Sequence, residues 1–116
     1  MKKKVTAEAI RQYADASRDS AAFHFNPEAA KKAGFKRPIA HGMYIMGLAH
    51  SLYLSENPTH WIQSTQMTFV RPLMSESLVD FAFELMNEEV QVTVAEENGE
   101  VIARGCFTVG GVLDNE

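Results

Sequence analysis

Residues 41–55 form the stretch that most constrains the fold, because their apolar side chains point in every direction around a helix. These side chains belong to Met43, Tyr44, Ile45, Met46, Leu48, Ala49, Leu52, Tyr53 and Leu54. A helix that is apolar on all sides offers no face to water, so other protein elements must surround it. At about 15 residues it is shorter than the roughly 20 that a bilayer span needs. The sequence therefore predicts a buried helix around which the rest of the chain wraps.

The second half of the chain has the alternating apolar pattern of strands that can surround this helix. Residues 63–70, 78–86, 90–94 and 101–109 each place apolar side chains on one face, and Asn98-Gly99 is a strong two-residue hairpin turn. We expect four antiparallel strands in a meander around one long buried apolar helix. This is an α+β architecture of the hot-dog type. The edges of so short a sheet are exposed, which favours a homodimer.

Two shorter helices are predicted before the apolar one. Residues 6–17 begin at Thr6, a good N-cap, and carry an apolar face at helical spacing. Asn26 and Pro27 are a suitable cap and first position for a helix over residues 28–33, and Gly34 would end it.

Composition limits the class of protein. With 116 residues, 46% of them hydrophobic and 22% charged, the chain suits one globular domain. The formal charge of −4 is a poor match for nucleic acid, whose phosphates attract cations. Cys106 is the only cysteine, so it has no partner for an internal disulfide. Because neither a signal peptide nor a membrane span is evident, we expect a cytoplasmic protein that binds no membrane.

The candidate chemical groups gather where the helical and stranded halves meet. Asp19 and His24 lie in a loop between two helices, and His41-Gly42 begins the apolar helix. An acid and an imidazole near free N–H groups of a helix N-terminus are suited to proton transfer beside a developing oxyanion. Gly42 has no Cβ, so a carbonyl can approach its amide. Asp19 as a solvated charge and His24 as a packed core residue remain alternatives, and the spacing does not choose between them.

The same segments resemble the MaoC-like dehydratase family, which includes the (R)-specific enoyl-CoA hydratases. The resemblance rests on residues 13–19, His24, the run Arg37-Pro38-Ile39-Ala40-His41-Gly42-Met43 and, later, Phe69-Val70-Arg71-Pro72-Leu73. It extends over about residues 5–109 and implies a single MaoC-like hot-dog domain over residues 1–116.

The resemblance implies an enzyme of fatty-acyl metabolism that reversibly hydrates trans-2-enoyl thioesters to (R)-3-hydroxyacyl thioesters. Asp19 and His24 would hold and polarise one water, and the Gly42 N–H would bind the thioester carbonyl oxygen. No metal or redox cofactor is implied, because the thioester itself acidifies C2. Coenzyme A or an acyl carrier protein would carry the substrate. The assembly would be a homodimer or a larger homo-oligomer.

Further residues are candidates for binding substrate, each with a plainer alternative. His41 would shape the site, and Met43 and Met46 would line an acyl tunnel or simply pack in the core. His50 would line the acyl pocket or contact Asp19, or else be a core histidine bonded to backbone. Lys36 and Arg37 would meet the carrier's phosphates or form a solvated surface.

The chain departs from the family's usual Gly-Asp-x-Asn-Pro-x-His motif. Arg18 replaces the glycine and Ala21-Ala22 replaces Asn-Pro, which normally fixes a tight turn. A loosely held site would make the protein a catalytically weak acyl-thioester-binding protein. A hot-dog acyl-CoA thioesterase is the other alternative. Residues 2–5 are also few for the family's usual lead-in strand, so that sheet edge is either missing or formed by them.

Overall fold

The structure is a computed structural model and describes residues 1–112. Its helices and strands, in chain order, are β1 (Lys2–Val5), α1 (Ala7–Ser17), a 3₁₀ turn (Ala22–His24), α2 (Pro27–Lys32), α3 (Gly42–Glu56), β2 (Trp61–Phe69), β3 (Ser77–Met86), β4 (Glu89–Glu96) and β5 (Val101–Gly110). The strands form one antiparallel sheet in the order β1-β3-β4-β5-β2. The predicted α+β architecture is confirmed.

The predicted order of the strands is wrong, because β2 pairs with β5 and not with β3. Residues 2–5 form a fifth strand at the opposite edge, which confirms the alternative that these residues supply that edge of the sheet. The segment after β2 crosses to that opposite edge because residues 38–40 hold it. The Ala40 N–H donates to the Leu73 carbonyl at 2.8 Å, and the Ser75 N–H donates to the Pro38 carbonyl at 2.8 Å. The chain therefore enters β3 beside β1.

The apolar composition of α3 predicted a helix buried on all sides, and this prediction is wrong for the single chain. Only one face of α3 lies against the sheet. Ile45, Ala49 and Tyr53 are buried at four-residue spacing. They pack in the core with the inward side chains of the central strands, among them Phe81, Val92, Val94 and Phe107. The opposite face of α3 is exposed at Met43, Gly47 and Ser51. The reason is geometric, since a sheet of five strands covers only one side of a helix.

The short helices begin as their capping residues predict. The Thr6 hydroxyl accepts the Ala9 N–H at 3.1 Å, and the Asn26 side chain accepts the N–H groups of the residues that follow Pro27. After α2 the chain turns at Gly34, whose φ of +95° suits glycine. Residues 1–112 contain no helix with the length and apolarity of a bilayer span.

Candidate active site

His24 closes the 3₁₀ turn of the loop between α1 and α2, and its ring is buried. Its Nδ1 lies 2.8 Å from the Ile39 carbonyl oxygen. A carbonyl only accepts hydrogen bonds, so the neutral imidazole carries its proton on Nδ1 and donates it there. Nε2 is then the ring's acceptor, with a lone pair for a proton donor such as water.

His41, the residue that caps α3, is even more deeply buried than His24. Its Nε2–H donates to the backbone carbonyl of Asp19 at 2.7 Å. Its buried Nδ1 has no hydrogen-bond partner among residues 1–112. The two imidazole rings stack, with centroids 3.6 Å apart and planes inclined by 15°. Tyr13 of α1 also packs against the His41 ring, with the two ring centroids 4.9 Å apart. His41 therefore joins helix α3 to both Asp19 and His24.

Asp19 brings a carboxylate to these two rings. One of its oxygens and one ring nitrogen each from His24 and His41 all lie within 4.8 Å of one another. Asp19 is exposed whereas both histidines are buried, so solvent reaches the cluster from the carboxylate side. The structure thus brings the predicted acid and imidazole together and adds a second imidazole to them.

The loop is well held although it lacks the family's Asn-Pro. Backbone bonds close its turn: the His24 N–H donates to Ala21 at 3.0 Å and the Asn26 N–H to Ala22 at 2.7 Å. His41 holds the loop at the Asp19 carbonyl. Arg18, which stands where the family usually has glycine, is left-handed at φ +61°. Its side chain therefore strains a backbone conformation that glycine adopts freely.

Gly42 is the first residue of α3, next to the histidine cluster. The first N–H groups bonded within the helix belong to Tyr44 and Ile45, and both donate to the His41 carbonyl. The Gly42 N–H precedes them and has no carbonyl one turn back, so it can bind an external oxygen. A Cβ at Gly42 would lie 3.1 Å from the Phe69 ring, so glycine also makes room for that side chain.

A pocket of about 410 Å³ opens beside Gly42. Its walls come from the start of α3 and from the segment that follows β2, with Ile39, Ala40, Ile45, Phe69, Arg71 and Leu73 among the lining residues. Asp19 and His24 are not among them. Gly42 therefore lies between the pocket and the cluster of titratable side chains.

The predicted acyl-tunnel residues do not line this pocket. Met43 is 63% exposed on the outer face of α3, and Met46 is half-buried. His50 packs edge-on against Phe107, a core residue, with the ring centroids 4.8 Å apart. Its buried Nε2 has no hydrogen-bond partner within the part of the chain that the structure describes, so this nitrogen bonds neither to Asp19 nor to the backbone. Burial lowers the pKa of His50 below its usual value.

The two residues predicted to bind phosphate, Lys36 and Arg37, differ in whether their side chains contact the rest of the protein. Lys36 is exposed, and its ammonium is open to solvent. The Nε–H of Arg37 instead donates to the Ser75 carbonyl at 2.8 Å, which ties the loop before α3 to the segment before β3. Arg37 therefore has a structural contact that neither alternative predicted.

Sequence reasoning missed two features of the site. It assigned His41 a shaping role but not the hydrogen bond to Asp19 or the stacking on His24. It also used residues 69–73 only as evidence of the family resemblance, whereas Phe69, Arg71 and Leu73 line the pocket. The similarity of residues 69–73 to the family was the available signal, but it does not show which side chains face α3.

Comparison with known proteins identifies the family. The family model for the MaoC like domain matches residues 1–105. The chain belongs to the MaoC-like domain family. A curated relative, the mitochondrial 3-hydroxyacyl-[acyl-carrier-protein] dehydratase of Arabidopsis thaliana, is 32% identical over 68 residues. That match covers 59% of this chain and 41% of the relative, so the chain spans less than half the length of the curated relative.

Solved structures confirm the hot-dog fold. The (R)-hydratase from A. caviae involved in PHA biosynthesis aligns with a TM-score of 0.84 at 21% identity, over 94% of this chain and 89% of that one. The C-terminally truncated HadBC complex of Mycobacterium tuberculosis, a 3R-hydroxyacyl-ACP dehydratase, aligns with a TM-score of 0.82 at 16% identity. That match covers 94% of this chain and 90% of that chain.

Proposed function

We propose that this MaoC-like protein reversibly hydrates trans-2-enoyl thioesters to (R)-3-hydroxyacyl thioesters in fatty-acyl metabolism. The observation that carries the proposal is the convergence of the Asp19 carboxylate on the His24 imidazole, whose Nδ1 proton is committed to Ile39. This leaves Nε2 as a proton acceptor, which is what activation of water requires.

In the hydration direction, one water binds between the Asp19 carboxylate and His24 Nε2. Both groups accept its hydrogens, which concentrates negative charge on the oxygen that attacks C3 of the enoyl thioester. As the C3–O bond forms, a proton passes to the Asp19–His24 pair, and the C2–C3 π electrons move toward the thioester carbonyl. Return of a proton to C2 completes the addition. A positioned acid or base of this kind accelerates a reaction by about 10²–10⁴.

The negative charge that develops on the carbonyl oxygen needs a donor on the other side of the substrate. The Gly42 N–H, at the positive end of α3, is that donor, and such donors contribute about 10²–10³ in rate. The pocket beside Gly42 would take the part of the thioester next to the carbonyl, since apolar side chains form most of its lining and Arg71 is its one charged lining residue.

The relatives support this class of reaction through their names, which are an (R)-hydratase and 3-hydroxyacyl-ACP dehydratases. The substrate carrier is coenzyme A or an acyl carrier protein. The reaction needs no metal or redox cofactor, because the thioester itself stabilises the carbanion at C2. We place the protein in the cytoplasm, which immunodetection in fractionated cells would test. Recovery with membranes would contradict that location.

We propose a homodimer that forms through strand β2 and the outer face of α3. Strand β2 lies at a sheet edge and exposes Trp61 and Phe69, and unpaired edges of this kind invite another strand. The opposite edge, β1, carries three exposed lysines, which discourage pairing. Light scattering tests this proposal, because the mass in solution should be twice 12.9 kDa. A monomeric mass would refute it.

A spectrophotometric assay of enoyl-CoA hydration across chain lengths tests the activity. Asp19→Asn and His24→Ala should each lower kcat/KM by about 100-fold or more, the effect of losing a positioned acid or base. Asp15→Asn is the matched control, since Asp15 is an exposed carboxylate on α1, and it should keep full activity.

Three outcomes would refute the proposal. Full activity in both site variants would mean that other residues activate the water. Release of free thiol from acyl-CoA, without hydration, would indicate a thioesterase. Tight binding of enoyl-CoA without turnover of any chain length would indicate a binding protein.

A further inference from the structure

The lining of the pocket beside Gly42 suits an alkyl chain. Its buried part consists of Ile39, Ala40, Ile45 and Leu73. Arg71 is its one charged lining residue among residues 1–112, and the Arg71 guanidinium already donates to the Val101 carbonyl at 3.1 Å. A pantetheine arm carries amide groups that need hydrogen-bond partners when they are buried, whereas an alkyl chain needs none. The lining therefore favours the acyl side of a thioester over its pantetheine side.

Phe69 is the aromatic side chain of this pocket, and it lies directly against the start of α3. It ends strand β2, and its ring lines the pocket. A Cβ at Gly42 would lie 3.1, 3.2 and 3.5 Å from three atoms of the Phe69 ring. An acyl chain that enters the pocket while its carbonyl oxygen is bound at the Gly42 N–H therefore has to pass this ring.

The backbone of Phe69 is held in place, although its ring is partly exposed. Phe69 pairs with Ala103 of β5, and the N–H of the next residue, Val70, donates to the Ile102 carbonyl at 2.8 Å. The side chain of Phe69 is 39% exposed, unlike the buried residues of the same lining. A smaller side chain at this position should therefore enlarge the pocket without leaving a cavity in the core.

We propose that the acyl chain of the substrate lies in this pocket and that the Phe69 ring limits its length, which makes the protein specific for short-chain enoyl thioesters. The volume of about 410 Å³ is near the lower end of the roughly 300–1,000 Å³ of ligand pockets. A longer chain has to displace either the ring or buried core side chains. This inference rests on the function proposed above, and it makes Phe69 a residue that contacts substrate without transferring a proton.

The test compares the hydration of crotonyl-CoA with that of trans-2-octenoyl-CoA. The unaltered chain should have the higher kcat/KM with crotonyl-CoA. Phe69→Ala should raise the ratio of kcat/KM for octenoyl-CoA to that for crotonyl-CoA by at least about 10-fold, because one methylene in an apolar pocket is worth about 10–200-fold. Asp19→Asn should lower kcat/KM for both substrates by the same factor, which leaves the ratio unchanged.

Leu85→Ala is the matched control for Phe69→Ala. Leu85 lies on β3 and is 41% exposed, close to the 39% of Phe69, but it does not line the pocket. This variant should keep the ratio of the unaltered chain. Phe69→Leu, which retains an apolar side chain on the edge strand, should shift the ratio in the same direction as Phe69→Ala and serves if the alanine variant does not fold.

An unchanged ratio in the Phe69 variants would overturn the proposal. So would an equal loss with both substrates, which would make the ring a structural element, or a preference of the unaltered chain for octenoyl-CoA. Calorimetric binding of the saturated analogues butyryl-CoA and octanoyl-CoA separates this proposal from the activity. An inactive protein that prefers butyryl-CoA, and loses this preference in Phe69→Ala, would refute the proposed function alone. An active protein whose chain-length preference does not depend on Phe69 would refute this inference alone.

Discussion

Replacing His41 with phenylalanine separates the hydrogen bond to Asp19 from the ring stacking on His24. The variant loses the 2.7 Å bond to the Asp19 carbonyl, a net cost of about 0.5–1.5 kcal/mol. It also removes a buried nitrogen without a partner, which relieves about 1–3 kcal/mol. Stacking survives because a phenyl ring can replace the imidazole over His24. We therefore expect the free energy of unfolding to rise by about 1 kcal/mol, which is the difference between the middle values of these two ranges.

Activity should fall although stability rises. Without the bond to His41, the Asp19 loop loses its link to α3, and a displacement of about 1 Å costs on the order of 100-fold in rate. The loss should appear in kcat, with KM nearly constant, because the pocket beside Gly42 is lined by residues other than Asp19 and His41. Steady-state hydration kinetics and urea denaturation of the same preparation measure the two effects.

A double-mutant cycle decides whether His41 acts through Asp19. In an Asp19→Asn background, His41→Phe should change kcat by less than about threefold, because the group that it positions is already gone. Two independent losses that multiply would refute this reasoning. A loss of more than about 2 kcal/mol in stability, in step with the loss of activity, would instead make His41 a structural residue.

Two other perturbations test the strain and the burial near this site. Arg18→Gly should raise the free energy of unfolding by about 0.5–1 kcal/mol in urea denaturation, because glycine adopts φ +61° without strain. An unchanged or lower stability would contradict this. Burial lowers the pKa of His50 in the folded chain below the usual 6.5. Between that lowered pKa and 6.5, the unfolded chain therefore binds more protons than the folded chain does. The stability should therefore decrease as the pH falls below about 6.5, and His50→Gln should flatten that decrease. An identical pH profile in the variant would show that His50 contributes nothing to it.

The local features of the fold were predictable because their causes lie within a few residues. Thr6 and Asn26 cap their helices through their own side chains, and Gly34 ends α2 through its backbone freedom. The alternation of residues 78–86 likewise gives a strand with one buried face. In each case, the residues that cause the structure are adjacent in sequence to the structure that they cause.

Strand order was not predictable in the same way. The link between β2 and β3 is short enough for neighbouring strands, so the sequence favoured a meander. What directs the chain elsewhere is the pairing of residues 73–75 with residues 38–40, more than 30 positions away. Likewise, the apolar circumference of α3 indicates that the helix is surrounded, but not that the chain's own sheet covers only one face of it.

In the candidate site, too, the features that could not be predicted are contacts between residues far apart in sequence. The pairing of Asp19 with His24 followed from resemblance to a family, but the contacts of His41 did not, since its partner in the hydrogen bond lies 22 residues away. Arg37 shows the same limit. Its charge suggested either a phosphate ligand or a solvated surface, and the bond from its Nε–H to the Ser75 carbonyl, 38 residues away, could not be predicted from the charge. Charge indicates what a side chain can bind but not which partner the fold supplies.

Ala21-Ala22 can replace Asn-Pro because the position of the loop is set from outside the loop. Three bonds reach one short segment: His24 Nδ1–H to the Ile39 carbonyl, the Ile39 N–H to the Phe23 carbonyl, and His41 Nε2–H to the Asp19 carbonyl. The next residue of that segment is Gly42, which supplies the N–H for the thioester oxygen. Asp19 and His24 are thus both held by residues 39–41, and the oxyanion donor, Gly42, follows directly in the same segment. Their mutual distances depend on how this segment enters α3, and the turn within the loop needs only to be long enough to reach it.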